Sequence, residues 1–473
     1  MKILNLRLGH ACNSSSSHSI ISVNGTVKND TNGNEFGWDF FTASSQESKM
    51  DYFSILVRYC VEEVLGASTA QYILKSMGFN YDESGYIDHQ SVITLPTTKH
   101  TTRLGIETYE PNYQFIEEMR EFFSREDIVV LGGNDNTSEF HPLNIPRGGL
   151  LQELPQEDTP QNWKARKDGD WWTLYNRKSG DRITFSFFEE PPEFKPSFPY
   201  LVDIKITDLC YYNCAFCYQG STGKGTHELK LKIRNLAESL QKLEVFEVAL
   251  GGGEPTVDKE RLVMFIEEFS SRDIKVNFTT KNYSWFSDKE LREAVVKHCG
   301  AVAFSVEEVQ DFTKILTKAK EYNFPTSKIN IQIVDQVFNN YHLEYLLKEM
   351  DKEAVRRLTI LGFKENNRGK DFKKKGSTLE VLLNTLKENK YWIDIAVDTK
   401  FIQDYEKEIK KADISNKLYH KEEGLYSGYI DAVEGTFNKS SYTTEPSKPI
   451  TNNPDRHWEE YSEILRKIYE SWN

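Results

Sequence analysis

The chain of 473 residues lacks any apolar run of the length a membrane-spanning helix needs, about eighteen residues or more. It has six cysteines, too few for a disulfide framework in so long a chain, so a reducing cytoplasm is the expected setting. Basic residues are also short: 59 Lys and Arg against 72 Asp and Glu give a formal net charge of −13. That balance works against broad binding of a phosphate backbone and so against a nucleic-acid partner. The opening stretch, MKILNLRLGH, is broken by Asn5 and Arg7 and does not read as a secretory signal. The main basic run, Lys364–Lys375 (KENNRGKDFKKK), reads as a solvated face. At 38% hydrophobic and 28% charged residues, the composition is that of an ordinary soluble protein with enough apolar material for real cores.

Three of the six cysteines stand together in Cys210-Tyr-Tyr-Asn-Cys214-Ala-Phe-Cys217, a C-x3-C-x2-C pattern. A structural zinc site wants four protein ligands, and here the nearest candidates for a fourth are Asp208 and His227. Three thiolates without an evident fourth better suit a 4Fe–4S cubane with one iron left open for a small molecule. Gly251-Gly252-Gly253-Glu254-Pro255-Thr256 follows at the end of a strand-like run, Val245–Leu250. Glycines let a backbone approach a ligand closely, and a carboxylate can hold an ammonium group.

The two motifs together resemble the radical S-adenosylmethionine (SAM) superfamily. The resemblance implies one 4Fe–4S cluster on Cys210, Cys214 and Cys217, with SAM chelated at the open iron. It implies one-electron cleavage of SAM to a 5′-deoxyadenosyl radical, with an electron donor such as flavodoxin or ferredoxin as a partner. Gly252, Gly253 and Glu254 would then contact the SAM amino group, and the backbone of Phe216 would lie near the adenine. Ser305 resembles a ribose contact, and Leu361–Phe363 an adenine-binding strand end. Other strand ends offer Thr280, Lys281 and Asn282, then Glu307, then Gln332 and Asp335.

The arrangement of elements agrees with this independently. From Tyr200 strands and helices alternate, with strands expected at Leu201–Ile206, Val245–Leu250, Lys275–Thr280, Ala301–Val306, Ile329–Val334, Leu358–Phe363 and Ile393–Val397. Helices are expected at Leu229–Leu243, Lys259–Ser270, Lys289–His298, Thr313–Tyr322, Tyr341–Met350 and Thr378–Lys387. Such alternation predicts an α/β fold, a partial or full (β/α) barrel with its chemistry at the C-terminal strand ends, where both motifs fall. Residues 1–150 read as an additional α+β domain of unknown role, 151–199 as a hairpin and Pro-rich linker, 200–400 as the barrel, and 401–473 as a C-terminal hairpin and helix. The helix Glu47–Leu65 places Cys60 on its apolar stripe, and Cys299 also reads as buried. The N-terminal polar clusters around His18, His89 and His141, with Cys12 beside the first, match no motif.

Relatives often carry a SPASM or twitch extension with auxiliary clusters. The stretch Gly424–Tyr442 looks like the hairpin of such an extension but has no cysteine, and Ser440 stands about where a ligand would be expected. A single cluster is therefore expected, in an enzyme acting on a peptide or small molecule. The alternatives are a cluster-bearing scaffold without turnover and a bifunctional enzyme with a second, N-terminal activity.

Overall fold

The computed structural model describes residues 2–7, 19–22, 35–36, 41–79, 84–87, 95–102, 105–126, 128–132, 160–188, 190–388, 390–412, 421–443, 445–450 and 457–472. The chain divides into two units, Met1–Phe194 and Lys195–Asn473.

The first unit is α+β. Its strands are β1 (Lys2–Arg7), β2 (Ser19–Ser22), β3 (Glu35–Phe36), β4 (Phe41–Ala43), β5 (Tyr86–Ile87), β6 (Thr97–Thr101), β7 (Glu107–Pro111), β8 (Ile128–Gly132), β9 (Trp163–Asp168), β10 (Trp171–Asn176) and β11 (Arg182–Ser186). Its helices are α1 (Gln46–Leu65), α2 (Ala67–Ser76) and α3 (Tyr113–Phe123). The hairpin β10–β11 belongs to an antiparallel sheet in the order β1-β11-β10-β9, so the start of the chain pairs with residues near 185. Helix α1 begins where the Ser45 hydroxyl accepts from Ser48 N at 3.1 Å. Its stripe of Phe53, Leu56, Val57 and Cys60 packs with Phe115, Phe122 and Phe123 of α3 in an aromatic-rich core. Burial of Cys60 raises its thiol pKa, and an inert packing role follows. Residues 8–18, 88–90 and 133–159 lie outside the described residues, and with them Cys12, His18, His89 and His141.

The second unit is built on a ten-stranded sheet. Its elements in order are β12 (Leu201–Lys205), α4 (Ile233–Lys242), β13 (Glu247–Gly251), α5 (Lys259–Ser270), β14 (Lys275–Thr280), α6 (Lys289–His298), β15 (Cys299–Ser305), α7 (Val309–Glu321), β16 (Ile329–Val334), α8 (Leu343–Lys352), β17 (Arg357–Leu361), α9 (Leu379–Glu388), β18 (Asp394–Val397) and α10 (Thr399–Lys411). The tail adds β19 (Ser427–Asp431), β20 (Thr436–Asn438), β21 (Lys448–Pro449) and α11 (Trp458–Glu470). Strand order is β18-β17-β16-β15-β14-β13-β12-β19-β20-β21. All neighbours from β18 to β19 are parallel, and the ends do not pair, so of the two expected forms the barrel is the partial one.

Each parallel strand alternates. In β14, Val276, Phe278 and Thr280 are buried while Lys275, Asn277 and Thr279 are half-buried. The apolar set joins the side chains of α4 to α8 in the main core, which is the ordinary construction of a sheet covered by its own crossover helices. Cys299 belongs to this core, and burial pushes its thiol up to about 12. The tail hairpin is more than packing material. Strand β19 pairs in parallel with β12, from Leu201 opposite Ser427 to Lys205 opposite Asp431. Lys205 Nζ seals the pair at 3.0 Å from Asp431 Oδ2. Helix α11 then covers α4, with Tyr461, Leu465, Ile468 and Tyr469 buried.

Candidate active site

The segment after β12 and the segment after β13 lie directly on each other. Gly253 N donates to Thr207 O at 2.6 Å and Glu254 N to Leu209 O at 2.9 Å. A Cβ on Gly252, whose φ is +125°, would sit 2.4 Å from Thr207 O, and one on Gly253 would sit 2.2 Å from Leu209 O. Contact between these two loops is enough by itself to require glycine at both positions. The same contact sets Glu254 beside the cysteine loop.

Glu254 is only 4% exposed, and its carboxylate is held from several sides. Oε1 accepts from Thr256 N at 3.1 Å, Thr256 Oγ1 at 2.7 Å and Thr280 Oγ1 at 2.6 Å. Oε2 accepts from Lys281 N at 2.9 Å. A buried carboxylate needs such donors, and these fix its orientation. These donors come from the ends of β13 and β14, so the strand ends themselves aim the group.

The cysteine loop is held through its backbone. Cys210 N donates to Thr222 O at 2.9 Å and Cys217 N to Cys214 O at 3.2 Å, while Asn213 turns the chain at φ +49°. All three thiols are free and partly accessible. Burial raises the Cys210 thiol, and the nearby charges of Glu254 and Cys217 add to this. Burial raises the Cys214 thiol too, against the pull of Lys281. Three free thiols on one loop, each within electrostatic reach of another, are a suitable donor set for an iron–sulfur cluster. The zinc alternative loses its supplementary ligands. His227 is engaged at both ring nitrogens, 2.8 Å from Thr207 Oγ1 and 2.8 Å from Asp258 Oδ2, and Asp208 is ion-paired with Lys205. Among the described residues, no group of three or more His, Cys, Asp or Glu is placed to hold a single metal ion.

Lys281 ties the two motifs together. Its backbone serves Glu254, its Nζ lies 3.5 Å from Cys214 Sγ, and it is ion-paired with Glu307 at the end of β15. Burial disfavours the ammonium, but Glu307 and the Cys214 sulfur outweigh it and raise the Lys281 pKa.

The loop after β17 clasps the cysteine loop from outside. Arg368 donates to Cys214 O at 2.9 Å and to Ser221 O at 3.0 Å, and Asn367 donates to Tyr218 O at 2.7 Å. The Lys364 ammonium lies 4.8 Å from the ring centres of both Tyr218 and Tyr442. The Tyr218 hydroxyl is 2.9 Å from Ser441 Oγ, so the cysteine loop is also bound to the tail. This corrects the reading of Lys364–Lys375 as one solvated face. Lys370, Lys373, Lys374 and Lys375 are exposed, but the Lys364 side chain is 12% exposed and Arg368 is half-buried. Sequence reasoning missed both because a basic run carries no mark of which members turn inward. The only signal was Gly369, where a Cβ would meet Lys364 O at 2.4 Å.

The remaining expected residues fall as follows. Phe216 and Phe363 each meet Phe372, with ring centres 5.8 Å apart in both cases. Leu361 O accepts from Asp335 N at 2.8 Å. Ser305 ends β15 opposite Gln332 in register. Asp335 is fully buried and serves the fold, since Thr378 N and Oγ1 and the Tyr405 hydroxyl donate to it at 2.7, 2.8 and 2.6 Å.

Residues 204–359, which hold all of β12 to β16 except the first three residues of β12, match the family model described as the radical SAM superfamily. The chain therefore carries a radical SAM domain, the mark of an enzyme, and that domain's family implies a 4Fe–4S cluster and SAM. Among solved structures, Streptococcus suis SuiB is 12% identical, over 65% of this chain and 87% of its own, with a TM-score of 0.48. The same protein bound to S-adenosylmethionine is 12% identical, over 66% and 87%, with a TM-score of 0.47. Native anSMEcpe with bound AdoMet and the Cp18Cys peptide is 11% identical, over 57% and 82%, with a TM-score of 0.40. Similarities of that size say nothing about substrate. No curated protein matches the chain.

Proposed function

We propose that Cys210, Cys214 and Cys217 hold the 4Fe–4S cluster, that SAM binds at its open iron beside Glu254, and that the enzyme abstracts a hydrogen atom from an organic substrate. The observation that carries this reading is the direct contact between the two loops, which puts a fixed carboxylate next to three free thiols. Bound there, the cluster and SAM supply a 5′-deoxyadenosyl radical by one-electron reductive cleavage. The protein's own part is to orient and shield. Glu254 Oε2, which accepts from Lys281 N, would take the SAM ammonium, and Ser305 and the Leu361–Phe363 strand end would serve the nucleoside. The electron would come from an external donor of the flavodoxin or ferredoxin kind.

Toward the C-terminal strand ends Thr279, Ser305 and Gln332 are half-buried, which supports a polar substrate. A peptide is the first class to test, in view of the hairpin tail. Among the described residues no helix is long and apolar enough to cross a membrane.

The test is anaerobic reconstitution with iron and sulfide, followed by dithionite and SAM and chromatography for 5′-deoxyadenosine. Release of 5′-deoxyadenosine is expected. Its absence from protein with a full complement of iron would sink turnover and leave the cluster-bearing scaffold.

A further inference from the structure

Lys281 has two functions separated along one residue. Its N–H is spent on Glu254, 2.9 Å away, which fixes the backbone as the chain leaves β14. Its side chain runs to the cysteine loop, where Nζ lies 3.5 Å from Cys214 Sγ and 5.8 Å from the centre of the Tyr212 ring. Glu307 pairs with the same ammonium from the end of β15. The pair is neither open to solvent nor sealed, with side chains 28% and 31% exposed. An ion pair at a barrel mouth is ordinary. A cation held by one carboxylate and aimed at a ligating sulfur is a different arrangement, because hydrogen bonds to cluster sulfurs and local net charge set the reduction potential of iron–sulfur centres.

We infer that Lys281 raises the reduction potential of the cluster by donating an N–H hydrogen bond to Cys214 Sγ, and that Glu307 holds the ammonium there and limits its effect. The inference rests on the reading of the three cysteines as cluster ligands. The step concerned is the gain of one electron by the oxidised cluster, from dithionite in the test. No covalent bond of the protein forms or breaks, and no proton moves. The added negative charge spreads to the thiolates, so a cation at Cys214 stabilises the reduced form more than the oxidised one.

The experiment is redox potentiometry of the reconstituted full chain, followed by the electron paramagnetic resonance signal of the reduced cluster. It is done without SAM, so that a contact between Lys281 and the SAM carboxylate cannot contribute. Lys281→Met is expected to lower the reduction equilibrium constant about tenfold, which for a one-electron couple is about 59 mV to more negative potential. Lys281→Arg keeps a cationic donor and is expected to stay near the wild-type value. Glu307→Gln keeps the lysine, removes the opposing charge, and is expected to shift the potential the other way. Potentials equal to wild type in Lys281→Met and Glu307→Gln, each with full iron content, would overturn the inference. Should Lys281→Met fail to take up iron, Glu307→Gln decides alone, and no shift there overturns it. A wild-type protein that forms no cluster overturns the functional reading instead, which is a distinct result.

Discussion

Glu254 and the cysteine loop are neighbours held by opposite means. The carboxylate is buried, and four short hydrogen bonds from adjacent strand ends leave it no freedom. The cysteine loop is half-exposed, fastened through backbone groups to itself and by Arg368, Asn367 and Lys364 from a loop about 150 residues further on, Arg368 to Cys214 spanning 154 positions. One side of the site is fixed by the barrel; the other is fitted to it from outside. A group that orients a ligand gains from rigidity, whereas a loop proposed to take up a cluster needs a path for entry.

The largest effect expected is that of Cys214→Ala, which removes one of the three proposed ligands and should abolish the visible absorbance and iron content of the reconstituted protein. Gly253→Ala attacks the seam between the two sides, where the new methyl would lie 2.2 Å from Leu209 O. It should cost on the order of 1–3 kcal/mol in denaturant unfolding and reduce iron uptake with it. Thr280→Val takes one donor from buried Glu254 and should cost about 1–3 kcal/mol, with cluster formation retained. Arg368→Met frees two carbonyls of the cysteine loop; a thermal-denaturation loss of about 1–2 kcal/mol is expected, with faster loss of iron to a chelator. Lys373→Ala, in the exposed part of the same run, should stay within about 0.5 kcal/mol of wild type in the same measurement. If Arg368→Met and Lys373→Ala behave alike, the clasp contributes nothing and the comparison fails.

The rigid side was the legible one. Helices α5 and α6 run over Lys259–Ser270 and Lys289–His298 as predicted, because Asp258 and Asp288 cap them, accepting from Arg261 N at 2.9 Å and Leu291 N at 3.0 Å. Strands β14 and β16 also match to the residue, since their alternation is unbroken. Helix α7 starts at Val309, four residues before the predicted Thr313, because Asp311 accepts from Glu307 N and Glu308 N and draws the first turn back. Helix α3 was overlooked although Asn112 caps it and Phe115, Ile116, Met119, Phe122 and Phe123 line one face. The clasp could not be read at all. Whether a lysine enters a pair of tyrosine rings depends on two loops and a tail meeting in space, and no local pattern encodes that. The two cysteines outside the motif and within the described residues, Cys60 and Cys299, are buried as expected.

The parallel pairing of β19 with β12 bears on how the chain is made. Strand β12 carries the cysteines at its end, yet one of its two partners lies 226 positions later, Lys205 opposite Asp431. During synthesis that edge of the sheet stays uncovered until the ribosome has delivered Ser427–Asp431, leaving a row of unsatisfied amides and carbonyls exposed to neighbouring nascent chains. A chain cut short before Ser427 would keep that open edge, and a larger insoluble fraction than for the full chain is the expected outcome.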